Sequence, residues 1–160
     1  VGAGDGVSLL YMFGSHSLAV SLIATSLVSQ PAPTFLARIA RLLTTNQYAA
    51  AYRSLSSADQ ALIPFDAYVR CSRRRPVPGQ LVSVRILSRW QERVVVIPGR
   101  PAVPSVAARL AIRVHVPGLP HDVRVLVTRH AIVEETQWRW ILPPARLPFF
   151  SADSCVGPPI

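Results

Sequence analysis

A change of period divides this chain and limits what it can become. Between Thr34 and Ile63 there is no proline, and apolar residues recur at helical spacing. Beyond Gly79 they alternate with polar residues at a period of two. Helical segments first and strands afterwards predict an α+β domain rather than an alternating α/β one. The expected form is N-terminal helices packed on a curved, mostly antiparallel sheet of about four to six strands.

In the helical part, Thr34 is placed to cap a helix carrying Phe35, Leu36, Ile39, Leu42 and Leu43, with Arg38 and Arg41 opposite. Thr44-Thr45-Asn46 ends it. A second helix presents Tyr48, Tyr52 and Leu55 on one face, and Ala49 to Ala51 allow close approach. Ser57 with Gln60 reads as a capping box, and Pro64 as the first turn of a helix bearing Phe65, Tyr68 and Val69 and ending near Cys71. In the strand part, Val82, Val84 and Ile86 alternate with Arg85 and Arg89. Gln91-Glu92 reads as a turn or bulge before Val94 to Ile97, and Pro98 to Pro104 as a loop. Ala108 to Val116, the segment from Val123 to Val133, and Trp138 to Leu142 are the further strands.

Charge is unevenly spread. The 160 residues carry a net charge of +9, and all 17 basic residues are Arg. Residues 1–37 contain a single charge, Asp5, so the remainder holds 17 Arg and seven carboxylates, or +10. The apolar run Leu18 to Val28 has the length of a signal-peptide core, shorter than the roughly 20 residues that span a bilayer. Ser29-Gln30-Pro31-Ala32-Pro33 follows as a processing site or tether. Residues 1–33 are therefore expected to be a signal-like or tether segment, the alternative being a buried structural segment. Residues 34–157 form the single domain. Cys71 and Cys155 match no zinc spacing. A disulfide in an exported domain is the favoured reading, with two unrelated buried thiols as the alternative.

Asn46-Gln47-Tyr48-Ala49-Ala50-Ala51-Tyr52-Arg53-Ser54-Leu55-Ser56, then Asp59-Gln60-Ala61 and Phe65-Asp66-Ala67-Tyr68-Val69-Arg70-Cys71, resemble the helical opening of the nuclear transport factor 2-like superfamily. The closest likeness is to exported or lipoprotein-type actinobacterial domains. Trp138-Arg139-Trp140-Ile141-Leu142, Pro144-Ala145-Arg146 and the late Cys155 are similar to the ending of that group, so the resemblance covers about residues 34–155. It implies a cone, in which a bent sheet wraps the helices and leaves a pocket between them. Tyr48, Tyr52, Phe65, Trp138 and Trp140 are the pocket-lining candidates.

The fold alone does not set the chemistry, which has to be sought in particular residues. An isomerase-type site needs a carboxylate and a donor converging in an apolar pocket. Asp59 and Asp66 sit in first turns of helices, where capping explains them. Glu134-Glu135 lies at a strand end and Asp122 beside a turn. His16, His115, His121 and His130 share no metal-ligand spacing, and no glycine-rich phosphate loop or nucleophile elbow occurs. No catalytic, cofactor or metal residues are assigned, and no cofactor is expected. Arg85, Arg89, Arg109, Arg113, Arg124 and Arg139 fall on non-core strand positions, forming a basic outer sheet face, with Arg73 to Arg75 as a loop cluster. Such a face suits solvent or an anionic membrane or cell-wall surface. Nucleic acid is disfavoured, because Trp138 and Trp140 lie on the apolar register, away from the arginines. The expected function is non-catalytic: an exported or membrane-tethered domain binding an apolar small ligand or an envelope protein, with dimerisation open. The alternatives are a small isomerase- or dehydratase-like enzyme using the cone pocket, and Arg-mediated binding of anionic polymer or nucleic acid.

Overall fold

The computed structural model describes residues 30–151 and residue 155. Of the expected signal-like or tether segment, residues 1–33, residues 1–29 lie outside the described residues. The order is α1 (Ala32–Thr44), α2 (Tyr48–Arg53), α3 (Ser57–Leu62), α4 (Phe65–Arg73), β1 (Gln80–Val94), β2 (Val103–His115), β3 (Val123–Glu134), β4 (Gln137–Ile141) and, after a short turn of 3₁₀ helix, α5 (Leu147–Ser151). Helices thus precede a four-stranded, curved, open antiparallel sheet in which β1, β2, β3 and β4 are neighbours in chain order. It is an α+β fold, as the change of period predicts.

α1 begins two residues before Thr34, so Thr34 is an exposed first-turn residue and not the cap. Pro33 is tolerated there because the first-turn N–H groups have no intrahelical acceptor. Phe35, Leu36, Ile39 and Leu43 are buried against the sheet, each contributing about 1.5–3 kcal/mol, while Arg38 and Arg41 stay outside. Asn46 adopts a left-handed backbone, φ 59°, and turns the chain into α2. Its side-chain oxygen accepts from the Val77 N–H at 3.0 Å and from the Tyr48 hydroxyl at 2.5 Å, tying this corner to the loop before β1.

The capping box of α3 lies one residue earlier than the sequence suggests. Ser56, not Ser57, is the cap, and its hydroxyl accepts from the Asp59 N–H at 3.1 Å. Gln60 instead donates to the Tyr52 carbonyl at 2.9 Å. Leu55 has left α2 and forms a parallel bridge with Trp140.

β1 runs without a turn through Gln91 and Glu92, which pair with Val106 and Ser105. Its irregularities fall earlier, between Leu81 and Ser83 and between Ile86 and Ser88. Each extra residue flips the alternation that follows. β2 starts at Val103, five residues before Ala108, and contains Pro104. Proline is accepted there because the β2–β3 ladder reaches only to Val106. Val94 ends β1, and the segment after it folds back: Val96 packs with Ile132 and Ile141 in a small second core.

The main core lies between α1 and the helix-facing side of the sheet, where Val84, Ala108, Leu110, Ile112, Val114, Ala131 and Trp140 meet it. The Sγ atoms of Cys71 and Cys155 are 2.04 Å apart, joining α4 to the C-terminal segment across 84 residues. Phe150 of α5 stacks on Tyr68 of α4 at 4.9 Å, beside this link. Replacing both cysteines by alanine is expected to lower unfolding stability by about 2–5 kcal/mol, because a long loop is released in the unfolded chain. Reduction of the unfolded wild-type chain should add two protons by mass; an unchanged mass would contradict the pairing.

Candidate functional site

Strand register assigns side chains to faces. Directly paired residues share a side, so Gln91, Val106, Ala131 and Trp140 form one row on the helix-facing side, and Val133 pairs there with Trp138. At the end of the sheet that these rows occupy, a cavity of about 620 Å³ opens. Val106, Ala131, Val133 and Trp138 supply its apolar lining, with Gln91 and Arg93 at the β1 side. Arg93 is held by the Ala102 carbonyl. The Trp138 indole N–H donates to the Gln30 carbonyl at 2.9 Å, which brings the chain ahead of α1 to the edge of this groove.

Only Trp138 of the five aromatic residues picked out in the sequence lines the groove. Tyr48 and Trp140 are core residues, and the Trp140 indole donates to the buried Ala51 carbonyl at 2.7 Å. Tyr52 and Phe65, in edge contact at 5.2 Å, line a separate hollow of about 470 Å³ with Arg53, Gln60 and Arg139. The helical spacing of Tyr48 and Tyr52 did not separate core from pocket, because both roles place an aromatic ring on the same helix face.

Asp59 is fully buried. Its Oδ2 accepts from the Leu142 N–H at 3.0 Å and from the Ser56 hydroxyl at 2.8 Å, fastening α3 to the end of β4. Burial raises its carboxyl above the ordinary value despite these two donors. It lines neither the groove nor the Tyr52 hollow. Glu134 caps the start of α3, accepting from the Ser57 N–H at 2.9 Å. Asp66 is exposed.

Two polar pairs were not visible in the sequence. His130 Nε2 lies 2.6 Å from Glu92 Oε1, and this hydrogen bond holds Glu92 below the usual carboxylate range. The pair spans β1 to β3 across β2, a distance along the chain that no local motif signals. Glu92 is on the lining of the groove, but His130 is not. On the outer face, Asp122 accepts from Arg113 at 2.6 Å and lies 3.3 Å from His115; Arg113 is the main cause of its lowered carboxyl.

Arg85, Arg109, Arg113, Arg124 and Arg139 lie on the outer side of the sheet, in register with Ala111, Thr128 and Ile132. Arg89 does not join them. The irregularity between Ile86 and Ser88 pairs it with Ala108 and turns it to the helix-facing side. Arg129 is also on that side, opposite Ala108, near Tyr68 and Arg146. Its Nε has no hydrogen-bond partner, and burial followed by repulsion from Arg146 lowers its pKa to about 10. Among the described residues no group of three His, Cys, Asp or Glu is placed to hold a metal. No family model matches the chain, and no curated protein matches it.

Because the Asp59 pKa is raised in the folded state, its contribution is fully present below the unfolded value of 3.8 and is lost as pH rises through the folded pKa. Asp59→Asn should therefore gain stability relative to wild type as pH is raised from 3 to 7, measured by urea unfolding. Asp59→Ala should cost about 1–3 kcal/mol by orphaning the Leu142 N–H. Arg129→Met removes a half-buried guanidinium whose Nε has no hydrogen-bond partner and should raise stability. A loss of stability in that variant would mean that Arg129 has a compensating partner.

Proposed function

We propose that this chain is a nuclear transport factor 2-like domain that binds an apolar ligand or partner segment in the helix-facing groove and performs no reaction on it. The observation that carries this reading is the groove itself: about 620 Å³, lined on its helix-facing side by Val106, Ala131, Val133 and Trp138, with Gln91, Glu92, Arg93 and Ser105 as its polar rim. Asp59, the buried carboxylate, is committed to Ser56 and Leu142 and stands away from it. An acid–base reaction would need such a group aimed at the bound molecule.

The domain is proposed to work outside the cytoplasm, exported or tethered. The Cys71–Cys155 pair supports an oxidising compartment, and the sequence ahead of the domain has the length and polarity of a signal core. Among the described residues no helix is long and apolar enough to cross a membrane.

A second reading, an isomerase- or dehydratase-like enzyme, is favoured by the Glu92–His130 pair, which stands on the outer side of the sheet with Glu92 alone reaching the groove's lining. The two readings diverge on substitution. Val133 is half exposed in the groove, so Val133→Asp should keep the fold and weaken uptake of the neutral dye Nile red at least tenfold. Glu92→Gln and His130→Ala should leave dye binding within about twofold. Undiminished binding in Val133→Asp would remove the groove from the account.

A further inference from the structure

The outer face of the sheet carries a hollow of about 400 Å³ that is separate from the helix-facing groove. Its floor is Ala111, the smallest side chain in a row where β1 contributes Arg85 and β3 contributes Leu126. In the adjoining row Arg113 is paired with Ser83 on one side and with Arg124 on the other. Two guanidinium groups directly opposite each other on a ladder repel. Asp122 relieves this for Arg113 alone, through the 2.6 Å ion pair. Arg85 and Arg124 have no ion pair or hydrogen bond among the described residues. The Ser83 hydroxyl is buried and also lacks a partner. All of these groups line the same hollow, and Leu87 forms its apolar lip.

We infer that this outer-face hollow is an oxyanion site for a phosphate group, held by Arg85 and Arg124 from opposite sides with Ser83 as a further donor. Guanidinium forks match the oxygens of a tetrahedral anion, and an anion beside Arg124 offsets the repulsion between Arg124 and its ladder partner Arg113. Donors reach the hollow from β1 and β3. A tetrahedral anion can accept from both strands and from the hydroxyl at once, whereas a planar carboxylate has only two oxygens to share among them. Ala111 leaves the space, and Leu87 offers an apolar contact to whatever carries the phosphate. The inference does not depend on the helix-facing groove being a binding site.

The test uses the full chain, first titrated calorimetrically with inorganic phosphate, then sedimented with vesicles of phosphatidylglycerol in phosphatidylcholine and of phosphatidylcholine alone. Saturable phosphate binding, or binding restricted to the phosphatidylglycerol vesicles, is the expected result; the first identifies a free phosphate compound as ligand and the second a lipid headgroup. Arg85→Gln/Arg124→Gln should weaken either interaction at least tenfold. Ala111→Leu keeps every charge and fills the floor, and should weaken it comparably. Arg38→Gln/Arg41→Gln, with the same change in net charge on α1, should change it less than twofold. Absence of both interactions, an unchanged affinity in the Arg85/Arg124 variant, or an equal loss in the Arg38/Arg41 variant would overturn the inference.

Discussion

The fastening of the helical layer to the last strand, centred on Trp140, holds the rest of this structure in place. The Trp140 backbone N–H donates to the Ser54 carbonyl at 3.0 Å, and its carbonyl accepts from the Ser56 N–H at 2.9 Å. Its indole reaches Ala51, and two residues on, Leu142 donates to buried Asp59. These bonds are made where water is excluded, so leaving any of them unmade would cost about 1–3 kcal/mol. With α2 and α3 fixed to β4, α1 can lie across the sheet, and the helix-facing groove is left open at the end that the helices do not cover.

Polarity is divided between the two sides of the sheet. The helix-facing side is apolar at Val84, Leu110, Ile112 and Trp140, is interrupted by Arg89 and Arg129 on either side of Ala108, and meets Gln91 and Arg93 in the groove. The outer side carries five of the arginines and, at Ala111, a hollow among three of them. A small second core of Val96, Ile132 and Ile141 covers another part of that outer side. Of the five outer-face arginines, Arg85, Arg113 and Arg124 gather around the hollow, while Arg139 stands on β4.

Much of this was legible in the sequence, and the misses have physical causes. The order of helices before strands follows from period alone, and the apolar register of β2 and β3 follows from simple alternation. Simple alternation puts Arg89 on the outer face, because the bulge between Ile86 and Ser88 leaves no mark in the residue pattern. Residue type points to Thr34 and Ser57 as caps, whereas Pro31 and Ser56 hold those positions because tertiary contacts set where the helices begin. Leu55 kept helical spacing with Tyr52 but was drawn into a bridge with Trp140. The groove combines residues from all four strands, and the Glu92–His130 pair joins positions 38 apart, so neither leaves a local pattern.

The central claim is that an apolar molecule occupies the helix-facing groove. Nuclear magnetic resonance of the three indole N–H groups tests it directly, since Trp138 lines the groove, Trp140 is buried in the core and Trp90 pairs with Ala107 on the outer side. On titration with a neutral apolar probe, the Trp138 resonance should shift progressively while those of Trp90 and Trp140 hold still. A shift confined to Trp90, with Trp138 unmoved, would contradict the account.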